Sequence, residues 1–185
     1  LAEVVGRVHP TILVGTSTQH GAFTEPLVRE MAAHVDRPVI LPMANPTTLS
    51  EATPADLLSW TGGRALIATG SPFGPVTYQG VTYQIGQANN ALIFPGLGLG
   101  ALLSRAGRIT DHMITVAAQA VAGLTDTTTP GAPLLPPIDD LRATSARVAL
   151  AVAQAAADDS VAEQPGVTAG AVDAAMWKPQ YAPIH

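Results

Sequence analysis

Apolar residues in this chain fall first into short β-branched runs and later into longer helical stripes. Thr11-Ile-Leu-Val-Gly15 is an apolar run closed by glycine, which predicts a buried strand. After the polar loop TSTQHGAF, Thr24 stands where a helix cap is wanted, with Glu25 and Pro26 in the first turn. Leu27, Val28, Met31 and Val35 then recur at helical spacing. Pro38 ends the linker, and Val39-Ile-Leu41 predicts a second strand that stops at Asn45-Pro46. SEATPADLLSW predicts a short helix terminated by Gly62-Gly63. Ala65-Leu-Ile-Ala68 predicts a third strand, closed by Gly70-Ser71-Pro72. Strand alternating with helix in this way predicts an α/β fold, a parallel sheet covered on both faces. Two strand exits, Ala44-Asn45-Pro46 and Thr69-Gly70-Ser71, lie at carboxyl ends, where open α/β sheets bind their ligands.

Beyond residue 90 the rhythm changes and no strand is expected. ITDHMITVAAQAVAGL predicts a helix capped by Thr110 or Asp111, and PPIDDLRATSARVALAVAQAAADD predicts another. The Pro- and Thr-rich TDTTTPGAPLLPP between them reads as an irregular surface loop. From Ser160 to His185 the chain turns to Gly, Pro and Ala, with a late Met176-Trp177 and Tyr181. An extended tail is expected there, laying its aromatic residues on another surface. The opening LAEVVGRVHP reads like the interior of a domain, so a longer parent protein is expected.

Composition sharpens this picture in two respects. Only 12% of the 185 residues are charged, about half of the ~25% usual for globular domains. Part of the surface is therefore expected to be covered by a partner subunit or by other parts of the same protein. The net charge of −5, with basic residues scattered, argues against a nucleic-acid partner. No run reaches the ~18 apolar residues of a membrane span, and with no basic segment followed by an apolar one, secretion is not expected. The absence of cysteine excludes disulfides and thiolate metal sites and fits a reducing, cytoplasmic setting.

Two segments compete as the carrier of chemistry. Gly96-x-Gly98-x-x-Ala101 has the spacing of a dinucleotide-binding turn. A true fingerprint needs a strand before it and a terminal acidic residue about 20 positions on. Here Pro95 precedes the glycines and helix follows helix, so the glycines are read as a packing face. The Asn89-Asn90 pair and Asn45 offer donor and acceptor without charge, which suits a carboxamide or a substrate carboxylate. His9, His20, His34, His112 and His185 show no metal spacing, and His34 late in a helix suits the dipole. Asp139-Asp140 and Asp158-Asp159 read as helix-end charges, and Gly70-Ser71 lacks the pattern of a nucleophile elbow. The chain thus presents binding groups without a catalyst.

These stretches resemble the C-terminal part of malic enzymes, the oxaloacetate-decarboxylating malate dehydrogenases. The resemblance rests on GTSTQHGAFTEPLVREM, RPVILPMANPT, EATPADLLSWTGGRALIATGSPFGPVTY, GQANNALIFPGLGLGALLSRAGRITDHM and LLPPIDDLRATSARVA. They cover most of residues 11 to 150, and EATPADLLSWT is nearest to the bacterial NAD-dependent branch. The resemblance implies that residues 1–89 form the second half of a Rossmann-like NAD-binding domain. Residues 90–159 would return as helices of the catalytic domain, and 160–185 would form a C-terminal tail. It implies contacts of Asn45, Asn89 and Asn90 with L-malate, and of Thr16, Ser17, Asn45, Gly70 and Asn89 with NAD or NADP. The acid, the base and the residues binding magnesium or manganese would all lie outside this chain, in the N-terminal part of the same enzyme, with a homo-oligomer expected. Ala44 and Ala88 depart from the family's usual Ser and Gly, and Thr18 stands where bacterial relatives often have Gly. A second reading is a non-catalytic Rossmann-like binding or assembly module, which would need its own phosphate-gripping turn.

Overall fold

The computed structural model describes residues 1–178, which divide into two units. Unit 1 comprises Leu1–Asn89 and Ala122–Ile138. It begins with α1 (Ala2–Val8) and then alternates β1 (Ile12–Gly15), α2 (Glu25–His34), β2 (Val39–Pro42), α3 (Pro54–Thr61) and β3 (Leu66–Thr69). The hairpin strands β4 (Val76–Tyr78) and β5 (Val81–Tyr83) follow, and then the short β6 (Gly86–Gln87). The main sheet is parallel in the order β1-β2-β3-β6, with Ile12 opposite Val39, Val39 opposite Leu66 and Ala68 opposite Gly86. This is the parallel α/β sheet that the alternation predicts, and its arrangement is the Rossmann-like one that the family resemblance implies.

Apolar periodicity decides which faces meet. Leu27, Val28 and Met31 of α2 and Leu57 and Leu58 of α3 are buried in one cluster with Leu13, Ile40 and Ile67 of the sheet. The opposite side of β1 is open, with Ile12 57% and Val14 56% exposed. Cover on both faces, expected from the sequence, is therefore not found at this strand. Thr53 caps α3 by accepting the Asp56 N–H and donating to the Asp56 carboxylate, and Gly62 ends the helix at φ 61°. Thr24 takes the cap position of α2 without a side-chain hydrogen bond.

The hairpin was not expected. Val76 pairs with Tyr83 and Tyr78 with Val81, and Gln79 and Gly80 turn with φ of 49° and 81°. Two positive φ values in a two-residue loop match the right-handed twist of the flanking strands. Residues 122–138, which the sequence groups with the later helices, belong to unit 1. There the Gln84 N–H donates to the Gly131 carbonyl at 2.9 Å.

Unit 2 comprises Asn90–Val121 and the described residues from Asp139 onward, with α4 (Phe94–Leu103), α5 (Asp111–Ala122), α6 (Leu141–Asp158) and α7 (Ala169–Ala175). The glycines of α4 do pack, but not all of them. A Cβ on Gly96 would lie 2.5 Å from Val148 Cβ, and one on Gly100 would lie 2.5 Å from the Ala149 carbonyl oxygen. Gly98 has nothing within 4 Å. Four-residue spacing puts Gly96 and Gly100 on the face toward α6 and turns Gly98 away. Thr110 caps α5 by accepting the Met113 N–H at 3.1 Å. It also donates to Asp159, which His112 Nδ1 meets at 2.9 Å. The Thr110 hydroxyl first, then His112, holds the Asp159 carboxyl below its ordinary value.

The expected extended tail contains α7, capped by Thr168, and Ala162 bridges to Ala106. Trp177 is 78% exposed, and its carbonyl accepts from Arg142 at 2.9 Å. Tyr181 and His185 lie outside the described residues. Among the described residues no helix is long and apolar enough to cross a membrane.

Candidate functional site at the carboxyl ends of the strands

The carboxyl ends of β1, β2 and β3 converge on a residue that the sequence reading did not single out. Glu51 is fully buried. One of its oxygens accepts the Ser17 N–H at 2.8 Å and the Ser17 hydroxyl at 2.9 Å. The other accepts the Ala44 N–H at 3.2 Å. A single carboxylate thereby fixes the turn after β1 and the turn after β2. Burial pushes its pKa up, but the combined hydrogen bonds from Ser17, its own N–H and Ala44 outweigh this and hold it below 4.5. Space around the group is tight. A Cβ on Gly15 would lie 2.7 Å from Glu51 Cδ and 2.7 Å from Phe23 Cζ.

The third exit is tied in by another route. The Ser71 hydroxyl donates to Asn45 Oδ1, which fixes the plane of an exposed amide beside the cis Asn45–Pro46 bond. Thr69 in turn donates to the Ser71 carbonyl at 2.7 Å. Gly70 passes so close to the β2 exit that a Cβ there would lie 2.1 Å from the Met43 carbonyl oxygen. Gln87 of β6 donates to the Gly70 carbonyl at 3.1 Å, and the Ala88 N–H donates to Thr69 at 2.9 Å. Thr16, Ser17, Asn45 and Gly70 thus lie on adjoining exits of one sheet edge, and Asn89 follows β6 at the same edge. Asn90 opens a short 3-10 turn at the start of unit 2.

The arrangement offers exposed hydroxyl and amide groups above a buried, fully engaged carboxylate. Neutral donors and acceptors of this kind can orient a carboxamide or a carboxylate. With both oxygens of Glu51 committed, the carboxylate serves the backbone.

A different cluster corrects the expectation about metal ligands. His9, Glu30 and His34 bring their donor atoms within 4.8 Å of one another. The expectation that metal-binding groups lie wholly outside this chain is overturned by this trio. The signal was hidden because His9 and Glu30 come from different helices and meet only when α1 folds against α2. The cluster lies at the amino ends of β1 and β2, because His9 precedes β1 and His34 ends the helix that leads into β2.

A family model described as malic enzyme, NAD binding domain, matches residues 1–157. The chain belongs to the malic enzyme family. It is 60% identical over 186 residues to the NAD-dependent malic enzyme 3 of Bacillus subtilis (strain 168), covering 100% of this chain and 33% of that protein. It is 48% identical to the malolactic enzyme of Lactiplantibacillus plantarum, again covering 100% of this chain and 34% of the relative. The solved malic enzyme of Entamoeba histolytica superposes with a TM-score of 0.71 at 27% identity, over 92% of this chain and 32% of that one. The malic enzyme of Pyrococcus horikoshii OT3 gives 0.69 at 28% identity, over 89% and 34%. The chain spans about a third of the length of the relatives it matches. Within this malic enzyme segment, the departure at Ala44 has a structural answer. Its backbone N–H donates to Glu51 and its carbonyl faces the Ser71 hydroxyl at 3.4 Å, so the position bonds through its main chain.

Proposed function

We propose that this chain is the cofactor- and substrate-positioning segment of an enzyme that oxidises L-malate with NAD and decarboxylates the product to pyruvate and CO2. The observation that carries the reading is Asn45. Its amide is exposed at the β2 exit, oriented by Ser71, and its neighbour Ala44 is anchored through Glu51 to the β1 exit. That is the sheet end at which open α/β folds take their ligands. The 60% identity to a protein named NAD-dependent malic enzyme supports an enzyme over a non-catalytic module.

In this reading Thr16, Ser17 and Gly70 line the cofactor, and Asn45, Asn89 and Asn90 face malate and the nicotinamide end of NAD. Residues 1–89 are the second half of the NAD-binding domain, 90–159 the return into the catalytic domain apart from the 122–138 segment that joins unit 1, and 160–185 the tail. NAD supplies the hydride acceptor for C2 of malate. The C2 hydroxyl proton leaves to a base, CO2 departs with its bonding pair left on C3, and protonation there yields pyruvate. The acid and base come from the N-terminal part of the same polypeptide, in keeping with a chain that spans about a third of the relatives it matches. The asparagines contribute orientation, which can be worth ~7–11 kcal/mol in a fully positioned site. We further assign a homo-oligomer in the cytoplasm.

The test is the complete polypeptide assayed with L-malate and NAD in magnesium-containing buffer. NADH and pyruvate should appear in equal amounts. Asn45→Ala should lower kcat/KM for malate about ten- to a hundredfold, the loss of a bond worth ~1.5–3 kcal/mol. Malate converted to lactate without net NADH would replace this activity with that named for the malolactic relatives. An unchanged kcat/KM in Asn45→Ala would remove the residue from the site.

A further inference from the structure

We propose that His9, Glu30 and His34 form a binding site for a borderline first-row divalent ion, of the zinc or nickel class, which clips α1 to α2. Glu30 and His34 stand one turn apart on the same face of α2, and Glu30 Oε1 lies 3.2 Å from His34 Nε2. His9 caps α1 in the left-handed region at φ 47°. From there its ring stacks on His34, with centroids 3.6 Å apart and planes 17° from parallel. The three side chains are exposed and can rotate.

Distances decide whether an ion can be held. A tetrahedral zinc with bonds of ~2.0–2.1 Å places neighbouring ligand atoms ~3.3–3.5 Å apart. The donors already lie within 4.8 Å of one another. Binding therefore requires the donors to close by up to about 1.5 Å and the two stacked imidazoles to turn until their in-plane lone pairs converge on the ion. The hydrogen that His34 shares with Glu30 moves to the other ring nitrogen, freeing the Nε2 lone pair for the ion.

Ligand type selects the class of ion. Two imidazoles and one carboxylate make a set typical of zinc, whereas magnesium and calcium prefer oxygen donors throughout. Both helices end at the cluster, so their C-terminal dipoles favour a cation. Three protein ligands leave a fourth position for water. The cluster is at the amino ends of the strands and Asn45 is at a carboxyl end. The bound ion therefore acts on the join between α1 and α2 rather than on malate.

Zinc and nickel titrations of the complete polypeptide, wild type and His9→Asn, His34→Gln and the double variant, test the site by calorimetry and thermal melting. The wild type should bind one more equivalent of zinc than the double variant. Each single variant should weaken that equivalent by about tenfold or more. Zinc should raise the wild-type melting temperature more than that of the variants, while magnesium at the same concentration leaves the difference unchanged. Malate-dependent NADH formation should persist in the variants. Equal zinc stoichiometry and affinity in wild type and double variant would overturn the site. So would magnesium competing with zinc for it on equal terms.

Discussion

At the carboxyl ends of β1, β2 and β3 the charged group, Glu51, is buried, while Thr16, Ser17 and Asn45 lie exposed beside it. At the amino ends of the same strands the charged groups reach the surface. There Arg64, partly open to solvent, spends its guanidinium on four backbone carbonyls: Thr61 at 3.1 Å, Val35 at 3.1 Å, Asp36 at 2.7 Å and Ala32 at 2.9 Å. These carbonyls lie at or just past the C-termini of α2 and α3, where a cation complements the dipole. Arg37 likewise donates to the Thr127 carbonyl. A cavity of about 400 Å³ opens there between Arg37, Arg64, Tyr83 and Thr128. This cavity is therefore at the end where charge closes helices, and the proposed malate site is at the end where Glu51 holds backbone.

Substitutions at the two ends should separate these roles. Gly70→Ala should have the largest effect, because its Cβ would meet a backbone carbonyl oxygen that cannot swing aside. We expect a loss of about 3 kcal/mol in chemical denaturation, together with loss of malate oxidation. Glu51→Gln keeps the shape but presents an amide to backbone donors, and should cost about 1–3 kcal/mol. Activity should fall with it, and a stable but inactive variant would show the anchor acting on geometry alone.

The same variant carries a pH signature. Glu51 has a lowered pKa in the folded protein, so its contribution is fully present above the ordinary value of 4.5. It is lost as pH falls through the lowered value, because the unfolded chain takes up the proton first. The stability gap between wild type and Glu51→Gln should therefore narrow below pH 4.5 and stay flat above it. A gap that widens on acidification would contradict this sign.

At the amino end, Arg64→Ala should cost about 1 kcal/mol by freeing helix-terminal carbonyls to water, with kcat/KM for malate unchanged. A fall in kcat/KM would show that the two ends communicate. Arg29→Ala should have the smallest effect. Its 2.7 Å pair with Glu25 is exposed on α2, and a loss above about 0.5 kcal/mol would be out of keeping with such a pair.

What the sequence showed follows physical range. β1, β2 and β3 were legible because each is a short apolar run bounded by glycine or proline, and α5 and α6 because each repeats at helical spacing. The β4–β5 hairpin escaped notice because its strands have three residues each and its turn is Gln-Gly, weaker than Asn-Gly as a signal. Gly98 was grouped with Gly96 by a motif spacing of two, whereas the helix sorts Gly96 with Gly100. Asn45 and the Asn89-Asn90 pair were visible as polar residues at strand exits. Glu51 was not, because its partner Ser17 is 34 positions away and its burial exists only once β1 and β2 are paired. His9 and His34 were unreadable for the same reason, since helix packing, not spacing, brings them together.

Glu51 also has a mechanical consequence. Its two oxygens hold different loops, so the turn at Ser17 and the turn at Ala44 hang from one rigid planar group. A displacement of either loop rotates that plane and loads the other, which makes the pair a yoke rather than two independent arms. A ligand that seats against the first loop therefore meets the second already aligned, and the freedom lost on binding is that of one body.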